Sequence, residues 1–303
     1  MDHGSSKRSI YAALAANLAI AIAKFVGASL SGSSAMLSEG FHSVVDTANE
    51  LLLLYGLKQS AAEPDEDYPL GRSQELYFWA LMVAVLIFAL GGGFSIYEGV
   101  QSLQHPEPSR NFAVSYGVLA IAALFESIAL VISVGEFNRT RPHSLTFWQA
   151  LRKSKDPTTF VVIFEDAAAL IGLAIAAIGL GVSEWQQNTQ YDGIASILIG
   201  LLLIIVAVVL VFETKGLLLG ESALPETRAS IKQIVQNDPA VSALGPPITI
   251  HLGPTDVLLA LNIEFQDELA ADEIEAAIRR IEAKIRDAHG EIKRIFIEAA
   301  SIV

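Results

Sequence analysis

Six apolar runs, each close to the roughly 20 residues a helix needs to cross bilayer hydrocarbon, fill the first two thirds of this sequence. They cover Ile10–Leu30, Ala35–Tyr55, Leu76–Val100, Phe112–Val134, Thr159–Val182 and Ile194–Phe212. In hydrocarbon every backbone N–H and C=O must be satisfied within the segment, so such runs fold as helices. The first is too long for a signal peptide and lacks a clear cleavage site, and it carries Asn17 and Lys24, which a simple anchor does not need. Only 17% of the 303 residues are charged, against about a quarter in soluble domains.

The short turn at Ser31–Ser34 makes the first two runs a tight hairpin. With the N-terminus inside, the internal segments collect Lys7, Arg8, Lys58, Arg72, Arg139, Arg141, Arg152, Lys153, Lys155 and Lys215, while the external ones hold only Arg110. This bias predicts that both termini are cytoplasmic. The connection between the fourth and fifth runs, with Pro142 and Trp148, reads as a cytoplasmic loop near the headgroups. The expected division is a six-helix transmembrane domain over 1–215 and a cytoplasmic domain over 216–303.

From about Gly220 the sequence reads as soluble protein. Glu226–Gln236 has helical spacing, with Ile231 and Ile234 as inward candidates, and Ile248–His251 is a short strand. Along Val257–Phe265 the residues Val257, Leu259, Leu261, Ile263 and Phe265 share one face, as in a half-buried strand. Ala271–Ala288 places Ile274, Ile278, Ile281 and Ile285 at helical spacing and stops at Gly290, before a last strand near Ile292–Ala299. The expected order is helix, strand, strand, helix, strand: one sheet with two helices on one face. A core this small is marginal alone, which favours pairing with a second copy.

Charged groups at hydrocarbon depth are costly and mark function by default. His42 and Asp46 are four residues apart, so imidazole and carboxylate leave the same helical face and can grip one cation. Glu39, one turn earlier, extends that stripe. The fifth run holds adjacent Glu165 and Asp166. If the second and fifth helices face each other, His42, Asp46 and Asp166 give three ligands, with Glu165, Glu39 or water as the fourth. The bland alternative is a set of salt bridges, for which Lys24 is the available partner. Glu98 and Glu126 suit helix packing as well as a role in the pathway, and Gly91, Gly92 and Gly93 permit close helix contact or a bend. With no cysteine there are no disulfides or thiolate sites, and a net charge of -13 argues against a nucleic-acid partner.

The stretches SEGFHSVVDTANELLLLYG, YPLGRSQELYFWAL, LLLGES and HLGPTDVLLALNIEF together resemble the cation diffusion facilitator (cation efflux) family over nearly the whole chain. The resemblance implies a multi-pass α-helical membrane protein of six transmembrane helices with a C-terminal α+β ferredoxin-like cytoplasmic domain. It implies a homodimer, paired through the cytoplasmic domain and membrane contacts, that exports a divalent transition metal in exchange for protons. His42 and Asp46 match the family's second-span ligand pair, and Asp166 with the following AAALIG matches the fifth-span aspartate. Four residues before that aspartate the family usually has histidine. Here the position is Val162, and Glu165 is the replacement candidate, in a divergent Glu-Asp arrangement.

In the tail the family's zinc-sensing histidines align near Gly245 and Ile297, which leaves His251 and His289 as the domain's own. His251 reads equally as a satisfied strand residue or a ligand, and Asp65, Glu66 and Asp67 stand where the family often has loop histidines. The expected function is a proton-coupled antiporter for Zn(II), or for Mn(II), Fe(II) or Co(II), in the inner (plasma) membrane. The expected ligands are His42, Asp46, Asp166, Glu165 and Glu39, with no tightly bound cofactor. The rival is a non-transporting membrane metal sensor or scaffold. A metal hydrolase is disfavoured, because no nucleophile–base set stands out in the sequence.

Overall fold

A computed structural model of the chain describes residues 3–106, 111–142 and 144–301. Arg110, the external residue in the charge comparison, lies outside the described residues. The chain divides into two compact units, one of residues 1–58, 78–152 and 157–214, the other of 59–77, 153–156 and 215–303.

The first unit is built from long helices: α1 (His3–Ser31), α2 (Ser34–Ser60), α3 (Glu75–Leu86) continuing through a π-helical turn at Ile87–Gly92 into α4 (Gly93–Gln104), α5 (Phe112–Thr140), a short α6 (Phe147–Lys153), α7 (Pro157–Gln186) and α8 (Gln190–Leu218). Most run past the apolar segments read from sequence. An apolar count captures only the hydrocarbon depth, and a helix can continue beyond it wherever its backbone bonds remain intact. Among the described residues four helices are long and apolar enough to cross a membrane: Glu75–Gln104, Phe112–Thr140, Pro157–Gln186 and Gln190–Leu218. Asn17–Ser31 forms a shorter apolar helix. The polar residues of α2 keep it out of that set. Ile22, Val131, Ile178 and Phe212 are each more than half exposed, while Lys24, Glu39 and His42 are buried. Such apolar exteriors with polar interiors belong to a membrane protein.

The α1–α2 turn shows how local chemistry fixes this unit. Gly32, at φ 67°, ends α1 in the left-handed conformation that glycine adopts without steric cost. Ser33 then caps α2, its Oγ accepting from the Met36 amide at 3.1 Å. The Asp192 carboxylate accepts from Ser33 Oγ at 2.7 Å and from the Ser34 amide at 2.5 Å, placing a negative charge at the positive end of α2. Deeper in, Ser38 Oγ lies 2.6 Å from Ser196 Oγ, which donates to the Ser95 carbonyl at 2.7 Å. The glycine cluster serves the expected close helix contact. The π-helical turn ends at Gly92, and Gly92 lies against Gly200 of α8 so closely that a Cβ on either would press on the other's carbonyl oxygen.

In the second unit α9 (Pro225–Gln236) and α10 (Ala271–Ala288) accompany β1 (Val241–Leu244), β2 (Ile248–Gly253), β3 (Asp256–Phe265) and β4 (Ile292–Ala299). β3 is the centre of the sheet. β4 runs parallel along one edge, and β2 and β1 pair antiparallel with successive halves of the other. β1 was absent from the sequence reading. It is a four-residue strand separated from β2 by Gly245-Pro246-Pro247, and prolines cannot donate to a ladder. Val257, Leu259, Leu261, Ile263 and Phe265 all bury, as their alternation requires, against Ile231 and Val235 of α9 and Ala277, Ile281 and Ile285 of α10. Ile234, Ile274 and Ile278 sit at the margin of that core.

The unit also holds the 59–77 loop. Asp65 accepts from the Tyr68 amide at 2.7 Å and pairs with Arg72 at 2.8 Å, and the Arg72 guanidinium stacks 4.0 Å over the Tyr68 ring. These bonds, the Tyr68 amide foremost, hold the Asp65 carboxyl below its usual range. Ser73 donates to Asp256, which also binds Arg294. Lys155 pairs with Glu221 at 2.8 Å.

Candidate metal centre

The site starts from the spacing of polar residues on α2. Glu39, His42, Asp46 and then Asn49 or Glu50 recur at intervals of three or four residues, so all five fall within about 100° of one helical face over about 16 Å. Buried polar atoms lacking a hydrogen-bond partner concentrate there: Glu39 Oε1, both ring nitrogens of His42, Asp46 Oδ1, Asn49 Oδ1 and Glu50 Oε2. His42 Nδ1 stands 3.2 Å from Asp46 Oδ1, out of hydrogen-bond alignment. Groups left unsatisfied in a helical membrane unit call for water or a cation.

Beside this face lies a cavity of about 360 Å³, walled by Asn17 and Ile20 of α1, Ser43, Asp46 and Glu50 of α2, Glu126 and Ser133 of α5, and Val162, Glu165 and Asp166 of α7, among others. Three of the five expected ligands, Asp46, Glu165 and Asp166, therefore share one wall. His42 is only 1% exposed and stands behind Asp46. Among the described residues no three His, Asp or Glu side chains are drawn to a single point as a metal centre.

Glu39 goes elsewhere. Its Oε2 is 3.1 Å from the Lys24 ammonium, both side chains are fully buried, and Lys24 also donates to Ser43 at 2.7 Å. The sequence named Lys24 as a competing partner. Only packing of α1 on α2 decides that it takes Glu39 and leaves Asp46, Glu165 and Asp166 to the cavity.

Three of the cavity carboxylates, Glu165, Asp166 and Glu50, each meet a neutral donor on another helix. Asn49 Nδ2 donates to Glu165 Oε1 at 2.6 Å, Ser133 Oγ to Asp166 Oδ2 at 3.0 Å, and Asn17 Nδ2 to Glu50 Oε1 at 2.9 Å. Sequence reasoning missed Asn17, Asn49, Glu50 and Ser133 as parts of this cluster and ranked Glu126 low. The available signal was isolation: Glu126 and Asn17 each interrupt an otherwise apolar run. In the tail, His251 is buried with Nδ1 3.3 Å from the Gly253 carbonyl oxygen, and His289 Nε2 lies 2.8 Å from Ser230 Oγ.

The cation efflux transmembrane domain pattern matches residues 10–219. The chain is 35% identical over 243 residues to the human "Proton-coupled zinc antiporter SLC30A9, mitochondrial", covering 80% of this chain and 43% of that protein. It is 32% identical over 265 residues to "Metal tolerance protein C4" of Arabidopsis thaliana, 87% of this chain and 58% of the relative. It is 26% identical over 258 residues to the "Cation-efflux pump FieF" of Escherichia coli, 82% and 80%. The chain thus spans less than half the length of its zinc-antiporter relatives. The match over 10–219, which takes in every residue lining the carboxylate cavity, settles the family: this protein belongs to the cation efflux, or cation diffusion facilitator, family.

Proposed function

We propose that the protein is a proton-coupled antiporter that exports a divalent transition-metal cation, Zn(II) before Mn(II), Fe(II) or Co(II), through the α2–α5–α7 cavity. The observation that carries this reading is the gathering of Asp46, Glu50, Glu126, Glu165 and Asp166 around one cavity in the helical unit, with His42 behind Asp46. Five carboxylates cannot all stay anionic and empty at hydrocarbon depth, because the desolvation cost of unpaired charge is large. A divalent cation or protons must neutralise them. Both compete for the same oxygens and for the His42 ring, so a metal that binds from one side displaces protons, and protons on the other side displace the metal. Asp46, Asp166 and Glu165 with His42 form the proposed ligand set, and Glu39, engaged by Lys24, lies outside it.

Zinc is favoured by the imidazole in the set and by the zinc-antiporter name of the 35%-identical human relative. We further propose six spans, a ferredoxin-like cytoplasmic tail, a homodimer, and a plasma-membrane location with both termini cytoplasmic. The second compact unit supports this topology. It unites 59–77, 153–156 and 215–303, the grouping expected if an even number of spans separates successive segments.

The test is metal flux into sealed proteoliposomes under an imposed pH gradient, with Zn(II), Mn(II), Fe(II) and Co(II) compared. Gradient-dependent flux that disappears in Asp46→Ala is the expected result. Metal binding by folded protein with no flux of any metal would overturn the antiporter reading and leave a membrane metal sensor.

A further inference from the structure

The two carboxylates of α7 are adjacent in sequence, so their side chains diverge by about 100° around the helix. Each is caught by a different neighbour. Glu165 meets α2, where Asn49 holds Oε1 at 2.6 Å, and Asp166 meets α5, where Ser133 holds Oδ2 at 3.0 Å. Asn49 is fully buried, and its own Oδ1 has no hydrogen-bond partner. A buried amide with one half unsatisfied is a costly feature, and its observed bond is to a cavity carboxylate.

We propose that Asn49, with Ser133 as its counterpart, is a positioning residue that sets metal selectivity by holding one oxygen of each α7 carboxylate away from the cation. This inference rests on the proposed transport reading and deepens it. An oxygen held by a donor on another helix cannot swing onto a metal in the cavity without giving up that bond. Glu165 and Asp166 then each offer one oxygen rather than a chelating pair. One oxygen from each α7 carboxylate, with Asp46 and His42 beside them, suits a cation content with four ligands, such as Zn(II). Mn(II) prefers about six oxygens and gains from two-oxygen carboxylate binding, so it is disfavoured. Removing the amide frees Glu165 to bind through both oxygens and raises the coordination number the cavity can supply.

The experiment measures Zn(II) and Mn(II) flux in competition, in proteoliposomes of the full chain, for wild type, Asn49→Ala, Asn49→Gln and Ser133→Ala. The Mn(II):Zn(II) flux ratio is expected to rise at least about fivefold in Asn49→Ala, in line with loss of one hydrogen bond. Ser133→Ala should move the ratio the same way, and Asn49→Gln, which keeps an amide donor, should restore most of the zinc preference. A purely structural role would lower both fluxes together and leave the ratio alone. An unchanged ratio in Asn49→Ala with zinc flux retained overturns the inference and leaves the antiporter reading standing. If Asn49→Ala transports nothing, competitive Zn(II)/Mn(II) binding to the detergent-solubilised variants is judged by the same ratio. Wild type that moves neither metal fails at the antiporter reading itself.

Discussion

Lys24 and Glu39 form an ion pair 3.1 Å long between α1 and α2, with neither side chain exposed to any degree. Removing one partner strands a buried charge, whereas replacing both with neutral groups of similar size removes the problem. Lys24→Met alone should destabilise the protein by about 3–5 kcal/mol, and Lys24→Met/Glu39→Gln should recover most of that loss. Thermal unfolding in detergent checks the cycle. Zinc flux in the folded double variant should stay within a few-fold of wild type, and a complete loss would return Glu39 to the ligand set.

The cavity wall ranks its own carboxylates. Asp46 touches His42 and lines the cavity with Glu165 and Asp166, whereas Glu50 lies one turn further along and is held by Asn17. Asp46→Asn is therefore expected to abolish zinc flux. Glu50→Gln and Glu126→Gln should instead raise KM while leaving measurable maximal flux. Equal abolition in all three would mean that the metal sits lower in the cavity than Asp46.

Close helix contact singles out particular glycines. A Cβ at Gly200 would meet Ile96 Cγ1 at 2.7 Å and the Gly92 carbonyl oxygen at 2.8 Å, and a backbone oxygen cannot yield as a flexible side chain can. Gly200→Ala should cost about 1–3 kcal/mol. At Gly117, on the exposed side of α5, an added methyl meets nothing within 4 Å. There Gly→Ala should be neutral or stabilise by up to about 1 kcal/mol, since alanine loses less backbone freedom in a helix. Paired melting curves of the two variants decide this.

Acid should weaken the tail through His251. Burial lowers its pKa below the ordinary value, with a partly offsetting bond to the Gly253 carbonyl. A histidine depressed in the folded state takes up its proton more readily when unfolded. Its contribution to stability is therefore full above about pH 6.5 and declines as pH falls from there toward the folded value. Unfolding of the full chain, followed by proteolysis of the tail at pH 7.5 and 5.5, should show a loss at the lower pH. His251→Gln should flatten that difference.

Much of this protein could be read from its sequence because the relevant physics is local. Apolar runs of bilayer length must be helices, since lipid offers the backbone no partner. The alternation from Val257 to Phe265 chose the buried face of β3 before any neighbour was known, because successive strand residues point to opposite sides. The four-residue spacing of His42 and Asp46 likewise placed the two side chains together. The edge strand β1 escaped notice because four residues beside a Gly-Pro-Pro break carry too little pattern.

What only the tertiary structure decided is which helix faces meet. Sequence supplied Asp46 and Asp166 as ligands with His42, and left Glu165, Glu39 or water as alternatives for the fourth. Packing of α1 on α2 gave Glu39 to Lys24, and packing of α5 and α7 beside α2 brought Glu126, Asp166 and Glu165 to the wall that Asp46 and Glu50 share. Asn49 and Ser133 looked like ordinary polar residues until the acids they hold arrived from another helix. Sequence periodicity fixes the direction a side chain takes from its own helix axis. It carries no record of the neighbouring helix on the other side, and in this family member that neighbour divides the structural acids from those that line the cavity.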